Sequence, residues 1–173
     1  MTLTRKIFKN STALQGAVQE VLCFAFAQEL LQASEKLFLV APWISNIVVF
    51  DNRMGQFSAL NPEWGKREVR LVEVLVAAAA NGSSIHVLTR PDRHNLHVER
   101  RLKESMSDAG LAEKLVWKVK PSLHSKGLLT DSFYLDGSMN LTESGVRLND
   151  ETIALSYERG DIASARVHFE GYL

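Results

Sequence analysis

Residues 123–151, LHSKGLLTDSFYLDGSMNLTESGVRLNDE, decide how the rest of this sequence is read. His124 and Lys126 stand two apart, Asp131 follows five after the lysine, Gly137-Ser138 and Asn140 come next, and Glu151 closes the set. An imidazole, an ammonium, a hydroxyl, a carboxamide and carboxylates thus fall within one short segment. Residues 125–130 and 133–135 read as two strands joined by a tight turn at Asp131-Ser132. On a strand, positions i and i+2 share a face, so His124 and Lys126 are expected side by side. A short helix starting within 138–146, a strand over 151–157 and a closing helix over 161–169 complete this end of the chain.

Upstream, the apolar residues Leu14, Val18, Val21, Leu22, Ala25, Leu30 and Leu31 recur at three- and four-residue steps, which predicts an N-terminal helix over residues 10–34, capped by Asn10 or Ser11. Lys36–Val40 (KLFLV) reads as a first buried strand. Trp43 lies just past its end, the edge where ligands collect on open α/β sheets; it is a candidate pocket residue, although a packed loop aromatic is as ordinary a use. Residues 50–65 read as a long loop, a candidate lid. A helix over 66–80, stopped by Asn81-Gly82, leads to a strand at 85–88. A charged helix follows over 95–109, and then a strand at Leu115–Val119.

Arg90, Arg93, Arg100, Arg101 and Lys103 make the region around that charged helix the most basic in the chain. A solvated helix face is the common reading of such a run; a track for a phosphate backbone is the competing one. The alternation of strands and helices predicts a single α/β domain over residues 1–173. Its sheet is expected to be mixed and mostly parallel, with helices on both faces.

The totals restrict function without choosing it. The chain has 173 residues, 46% hydrophobic and 23% charged, which suits one globular domain. Lys+Arg and Asp+Glu are both 20, so any anionic substrate has to be met by a local patch rather than by overall basicity. The one cysteine, Cys23, sits in an apolar helical pattern, which excludes a disulfide framework and a thiolate zinc cluster and predicts a buried, inert thiol. Gln15, Gln19, Glu20, Gln28 and Glu29 interrupt the apolar run near the N-terminus, so neither a signal peptide nor a span of roughly 20 apolar residues is expected. A cytoplasmic protein without a membrane partner is the resulting expectation.

A metal centre is a poor reading of residues 123–151, because a lysine beside the histidine is a bad neighbour for a cation. Ser138 is not in a nucleophile elbow, and no phosphate-binding glycine loop of Walker type occurs. What remains is nucleophilic catalysis at phosphorus by His124, through a covalent intermediate that needs no cofactor. Lys126, Asn140 and the Ser138 hydroxyl would hold the non-bridging oxygens. Glu151 would accept from the far ring nitrogen of His124. Asp131 and Gly137 have structural readings, as a tie for the turn and as a tight bend.

His124-x-Lys126-x4-Asp131 followed by Gly137-Ser138-x-Asn140, with a glutamate eleven residues later, resembles the HKD signature of the phospholipase D superfamily. The order of strands and helices from Lys36 onward also resembles one domain of that family. The resemblance implies a metal-independent phosphodiesterase or phosphatidyltransferase with a phosphohistidine intermediate. Family members use two HKD motifs, one histidine as nucleophile and the other as general acid; this chain has one. The small single-motif members are homodimeric bacterial endonucleases, and a twofold axis would bring His124 of each copy to a shared cleft. With no membrane anchor expected, nucleic acid is the favoured substrate and phospholipid the alternative. A non-catalytic nucleic-acid-binding or assembly module, of the kind found in bacterial DNA-modification and phage-defence systems, is a further alternative.

Overall fold

In the computed structural model, residues 4–9 and 16–173 are described. The expected cap at Asn10 or Ser11, and Leu14 with it, lie outside them. Strand β2 (Lys36–Val40) shows how the core is organised. Its side chains alternate between two faces, and both are apolar because both are covered. Leu37 and Leu39 join the main core with residues of α1 (Ala17–Leu31), α2 (Leu71–Ala80) and α3 (Arg93–Asp108). Phe38 and Val40 join a second, smaller core under α4 (Arg159–Glu170). Three helices therefore cover one face of the sheet and a single helix the other.

The main sheet has the order β1-β9-β8-β7-β2-β5-β6. Its remaining members are β1 (Thr4–Lys9), β5 (Ser84–Thr89), β6 (Leu115–Val119), β7 (Gly127–Leu129), β8 (Tyr134–Gly137) and β9 (Glu151–Ser156). β2, β5 and β6 are parallel, whereas β7 pairs antiparallel with β2, β8 with β7, β9 with β8 and β1 with β9. The expected mixed α/β sheet with helices on both faces is present. The sheet is not mostly parallel as expected: β2, β5 and β6 pair in parallel, with helices in their connections, and the other four pairings are antiparallel, the β7–β8 link being too short for a crossover.

Several local expectations change. β1 was not foreseen, and β3 (Val48–Asp51) with β4 (Glu68–Arg70) forms a separate two-stranded ribbon. Residues 66–80 are thus divided, with α2 starting at Leu71, where Glu73 accepts from the Arg70 N–H at 3.1 Å. The 50–65 segment is not a free lid. Trp64, 4% exposed, stacks on Phe50, and the buried Asn52 carboxamide donates to the Gly65 carbonyl at 2.7 Å and accepts from the Phe57 N–H at 2.7 Å. Residues 144–148 form one wide helical turn within the 138–146 region and just beyond it. Cys23 is half-buried, with its thiol pushed up by burial and by the charge of Glu20. No helix among the described residues is long and apolar enough to cross a membrane.

Candidate active site

Strand direction gathers the candidate residues. The C-terminal ends of β2, β5 and β8 and the N-terminal ends of β7 and β9 lie on the same edge of the sheet, because β7 and β9 run against their neighbours. Trp43, Arg90, His124, Lys126, Ser138, Asn140 and Glu151 all occupy the loops or strand ends on that edge.

His124 and Lys126 are not on a strand; they stand in the unpaired stretch that leads into β7, whose first residue is Gly127. The Lys126 ammonium folds back onto the chain and donates to the His124 backbone carbonyl at 3.0 Å. The His124 ring is exposed and meets the Arg90 guanidinium, whose Nη2 lies 2.7 Å from Nε2 and 3.3 Å from Nδ1. Arg90 also stands over the Trp43 ring at 5.7 Å. Among the described residues no carboxylate pairs with Arg90, and its Nε is buried without a partner. A guanidinium so placed is ready to donate to an anion.

The β8 side supplies the rest. Asn140 accepts from the Trp43 backbone N–H at 3.4 Å through Oδ1, which leaves its NH2 group as the donor. The Ser138 hydroxyl donates to Glu151 and accepts from the Thr152 N–H at 3.0 Å. Glu151 is 8% exposed, and its second oxygen accepts from Asn149 at 3.5 Å. Among the described residues no hydrogen bond joins Glu151 to His124, so the structure gives the carboxylate to Ser138 rather than to the imidazole. Gly137 makes this approach possible: at φ 145° a Cβ there would lie 2.0 Å from the Thr152 carbonyl oxygen.

Asp131 lies away from this edge, at the other end of β7. It accepts from Arg166 at 2.6 Å and from the Glu35 N–H at 2.8 Å, while its own N–H donates to Ser34 at 2.9 Å. The basic residues of α3 divide. Arg93 shares a surface depression with Arg90, Asp92, Asn95 and Val119. Arg100 lies on the outer face of α3 beside Glu104, at 3.9 Å. Arg101 instead acts on Glu73 of α2, where its charge is one of several that hold that carboxyl low. They do not form one track.

Two positioning residues escaped the sequence reading. Asn95, 2% exposed, donates to the Pro42 and Arg90 carbonyls and accepts from the Ile44 N–H, all at 2.9 Å, so it sets the loops that carry Trp43 and Arg90. A polar residue in the first turn of a helix gives no sequence signal beyond capping. Lys9, 2% exposed, donates to the carbonyls of Gly145 (3.1 Å) and Asn149 (2.7 Å) and thereby fixes the turn that precedes Glu151. Among the described residues no group of three or more His, Cys, Asp and Glu side chains is arranged to hold a metal ion.

The model of the family described as cardiolipin synthase, PLD-like domain, matches residues 54–173, more than half of the chain. Nuc from Salmonella typhimurium, a phospholipase D family member, superposes with a TM-score of 0.63 at 14% identity, over 98% of this chain and 92% of its own. TrmBL2, an archaeal chromatin protein with a novel mode of DNA binding, gives 0.58 at 15% identity, over 98% of this chain and 51% of that one. Phosphatidylserine synthase from Haemophilus influenzae gives 0.58 at 16%, over 97% and 37%. At these identities the likeness is one of fold. No curated protein sequence matches.

Proposed function

The chain belongs to the PLD-like domain family described for cardiolipin synthase, within the phospholipase D superfamily, and from that premise we propose that it is a phosphodiesterase acting on nucleic acid through a phosphohistidine intermediate on His124. The observation that carries this reading is the exposed His124 ring in contact with a guanidinium that has no carboxylate partner among the described residues. A nucleophile and an unneutralised cation side by side suit an anionic phosphorus centre.

In the proposed reaction, Arg90 leaves the imidazole for a non-bridging oxygen when the phosphodiester enters, which frees the lone pair of the attacking nitrogen. His124 forms a bond to phosphorus as the bond to the leaving oxygen breaks. Lys126, Asn140 and Arg90 donate to the non-bridging oxygens, and Glu151 acts by orienting Ser138. The leaving oxygen needs a proton. This chain offers one such motif, so we assign the acid to His124 of a second copy in a homodimer, and the same group then takes a proton from the water that hydrolyses the intermediate. No metal enters these steps.

Nucleic acid is favoured because the Arg90 guanidinium meets the reactive ring without a carboxylate partner among the described residues, and Trp43 beside it adds an aromatic face on which a base can stack. The family description and the likeness to phosphatidylserine synthase favour a second reading, a phospholipid phosphodiester. Single- and double-stranded DNA, RNA and phosphatidylglycerol vesicles, incubated with the protein in chelator, separate the two. We expect nucleic acid to be cleaved and cleavage to vanish in His124→Ala. Release of a lipid head group alone would move the assignment to lipid. Nucleic-acid binding without turnover, unchanged in His124→Ala, would make this a binding module.

A further inference from the structure

The reactive pair sits in the least regular part of the sheet edge. From Pro121 to Lys126 the chain makes no ladder pairing, and within it Leu123, 1% exposed, is the buried residue, seated in the smaller core. One backbone bond, Leu123 N–H to the Lys120 carbonyl at 3.1 Å, closes the turn. That anchors one side of His124 and leaves the stretch between His124 and Lys126 to be held by other means.

Ser125, the residue between them, supplies the means. Its hydroxyl lies 2.9 Å from the Tyr172 hydroxyl and 3.2 Å from His168 Nε2, and these two are themselves 2.8 Å apart. The three groups close a triangle that ties the reactive stretch to the end of α4. Tyr172 is held in turn: its ring stacks on Phe169, which is fully buried in the smaller core, and the Lys120 ammonium lies over its face at 4.2 Å. His168 packs edge-on against the same ring.

We propose that Ser125, His168 and Tyr172 are positioning residues that set the His124–Lys126 pair. This rests on the reading of His124 as the nucleophile. His168 is exposed and Ser125 and Tyr172 are half-buried, so water is at hand and burial does not demand these bonds; their net value to stability is small. Their value to geometry is larger. A tie at the residue between nucleophile and ammonium limits the swing of both, and displacements on the order of 1 Å at a reacting group can cost about 10²-fold in rate.

Ser125→Ala, Tyr172→Phe, the double variant and Ser125→Thr test this, with bis(p-nitrophenyl) phosphate as substrate and amide hydrogen exchange over residues 120–126 as a second readout. The expected result is a fall in kcat of about tenfold in Ser125→Ala and in Tyr172→Phe with KM within about twofold, since geometry rather than binding is lost. The double variant should be no worse than either single one, because Tyr172 acts through Ser125, and Ser125→Thr should restore turnover. Exchange over 120–126 should rise in both single variants and stay constant in β2 and β5. Additive losses, or unchanged exchange, would overturn the proposal. Should the wild type cleave no phosphodiester, the catalytic reading falls and exchange alone decides: a rise supports the tie, no change refutes it.

Discussion

The two ends of β7 carry the two ends of one signature, and they are built in opposite ways. At the N-terminal end His124 is exposed, its ring partner is the Arg90 guanidinium, and the chain around it is outside the strand ladder. At the C-terminal end Asp131 accepts from Arg166 and from the Glu35 N–H, beside a buried knot in which Glu29 accepts from the Ser34 N–H at 2.9 Å and the hydroxyls of Ser34 and Ser83 at 2.7 Å each. That knot joins α1, the start of β2 and the turn before β5. One end is left open, as the proposed chemistry requires, and the other fastens the strand. A short sequence motif therefore need not be a single site; its letters can serve a reaction and a fold through one strand.

Substitutions can break this contrast. The largest effect is expected for His124→Ala, a fall in kcat of about 10³-fold or more on a phosphodiester with no change in thermal midpoint, because the proposed nucleophile is lost and little packing is. Lys126→Met should lower kcat by about 10²-fold, the scale of one lost donor to transition-state charge, again without destabilising the protein. Asp131→Ala should do the reverse. Loss of a charged acceptor from Arg166 and a backbone N–H costs about 2 kcal/mol in urea unfolding, while turnover per folded molecule stays within a few-fold of wild type. If Asp131→Ala abolished turnover at full stability, the division between the two ends would be wrong.

The smallest effect sharpens the structural end. Burial pushes the Glu29 carboxyl above its usual range, and the charge of Asp131 adds to that, against the lowering effect of the serine donors. A raised carboxyl favours the protonated form in the folded state. The stability it contributes is complete below the ordinary glutamate pKa and is lost as pH rises through the folded value. The stability gap between Glu29→Gln and wild type should therefore shift in favour of the variant as pH rises from acid to neutral, by under about 1 kcal/mol, in paired urea titrations.

Much of this architecture was legible because its signals are local. The KLFLV run marks β2, the apolar steps of α1 and α2 mark helices, and strands alternating with helices mark an α/β sheet. The parallel half obeyed that logic; the hairpin half reversed it, because a turn at Asp131-Ser132 is too short for a crossover. β1 was missed since its period-2 signal is blurred by charge: Arg5, Lys6 and Lys9 surround Ile7, and its partner β9 lies at the far end of the chain. The site shows the same limit. His124, Lys126, Ser138, Asn140 and Glu151 stand out by type and spacing, yet no spacing could show that Glu151 turns to Ser138 or that Arg90, 34 residues from His124, caps its ring. Those pairings are set by which strand ends meet on the sheet edge.

The central claim is that His124 takes the phosphoryl group. Rapid mixing of the protein with a phosphodiester, quenched in alkali where a phosphorus–nitrogen bond survives, followed by peptide mass spectrometry, tests it directly. A transient adduct is expected on the peptide containing His124, absent from His124→Ala. Turnover with no adduct on that peptide, or with the adduct on another residue, would contradict it.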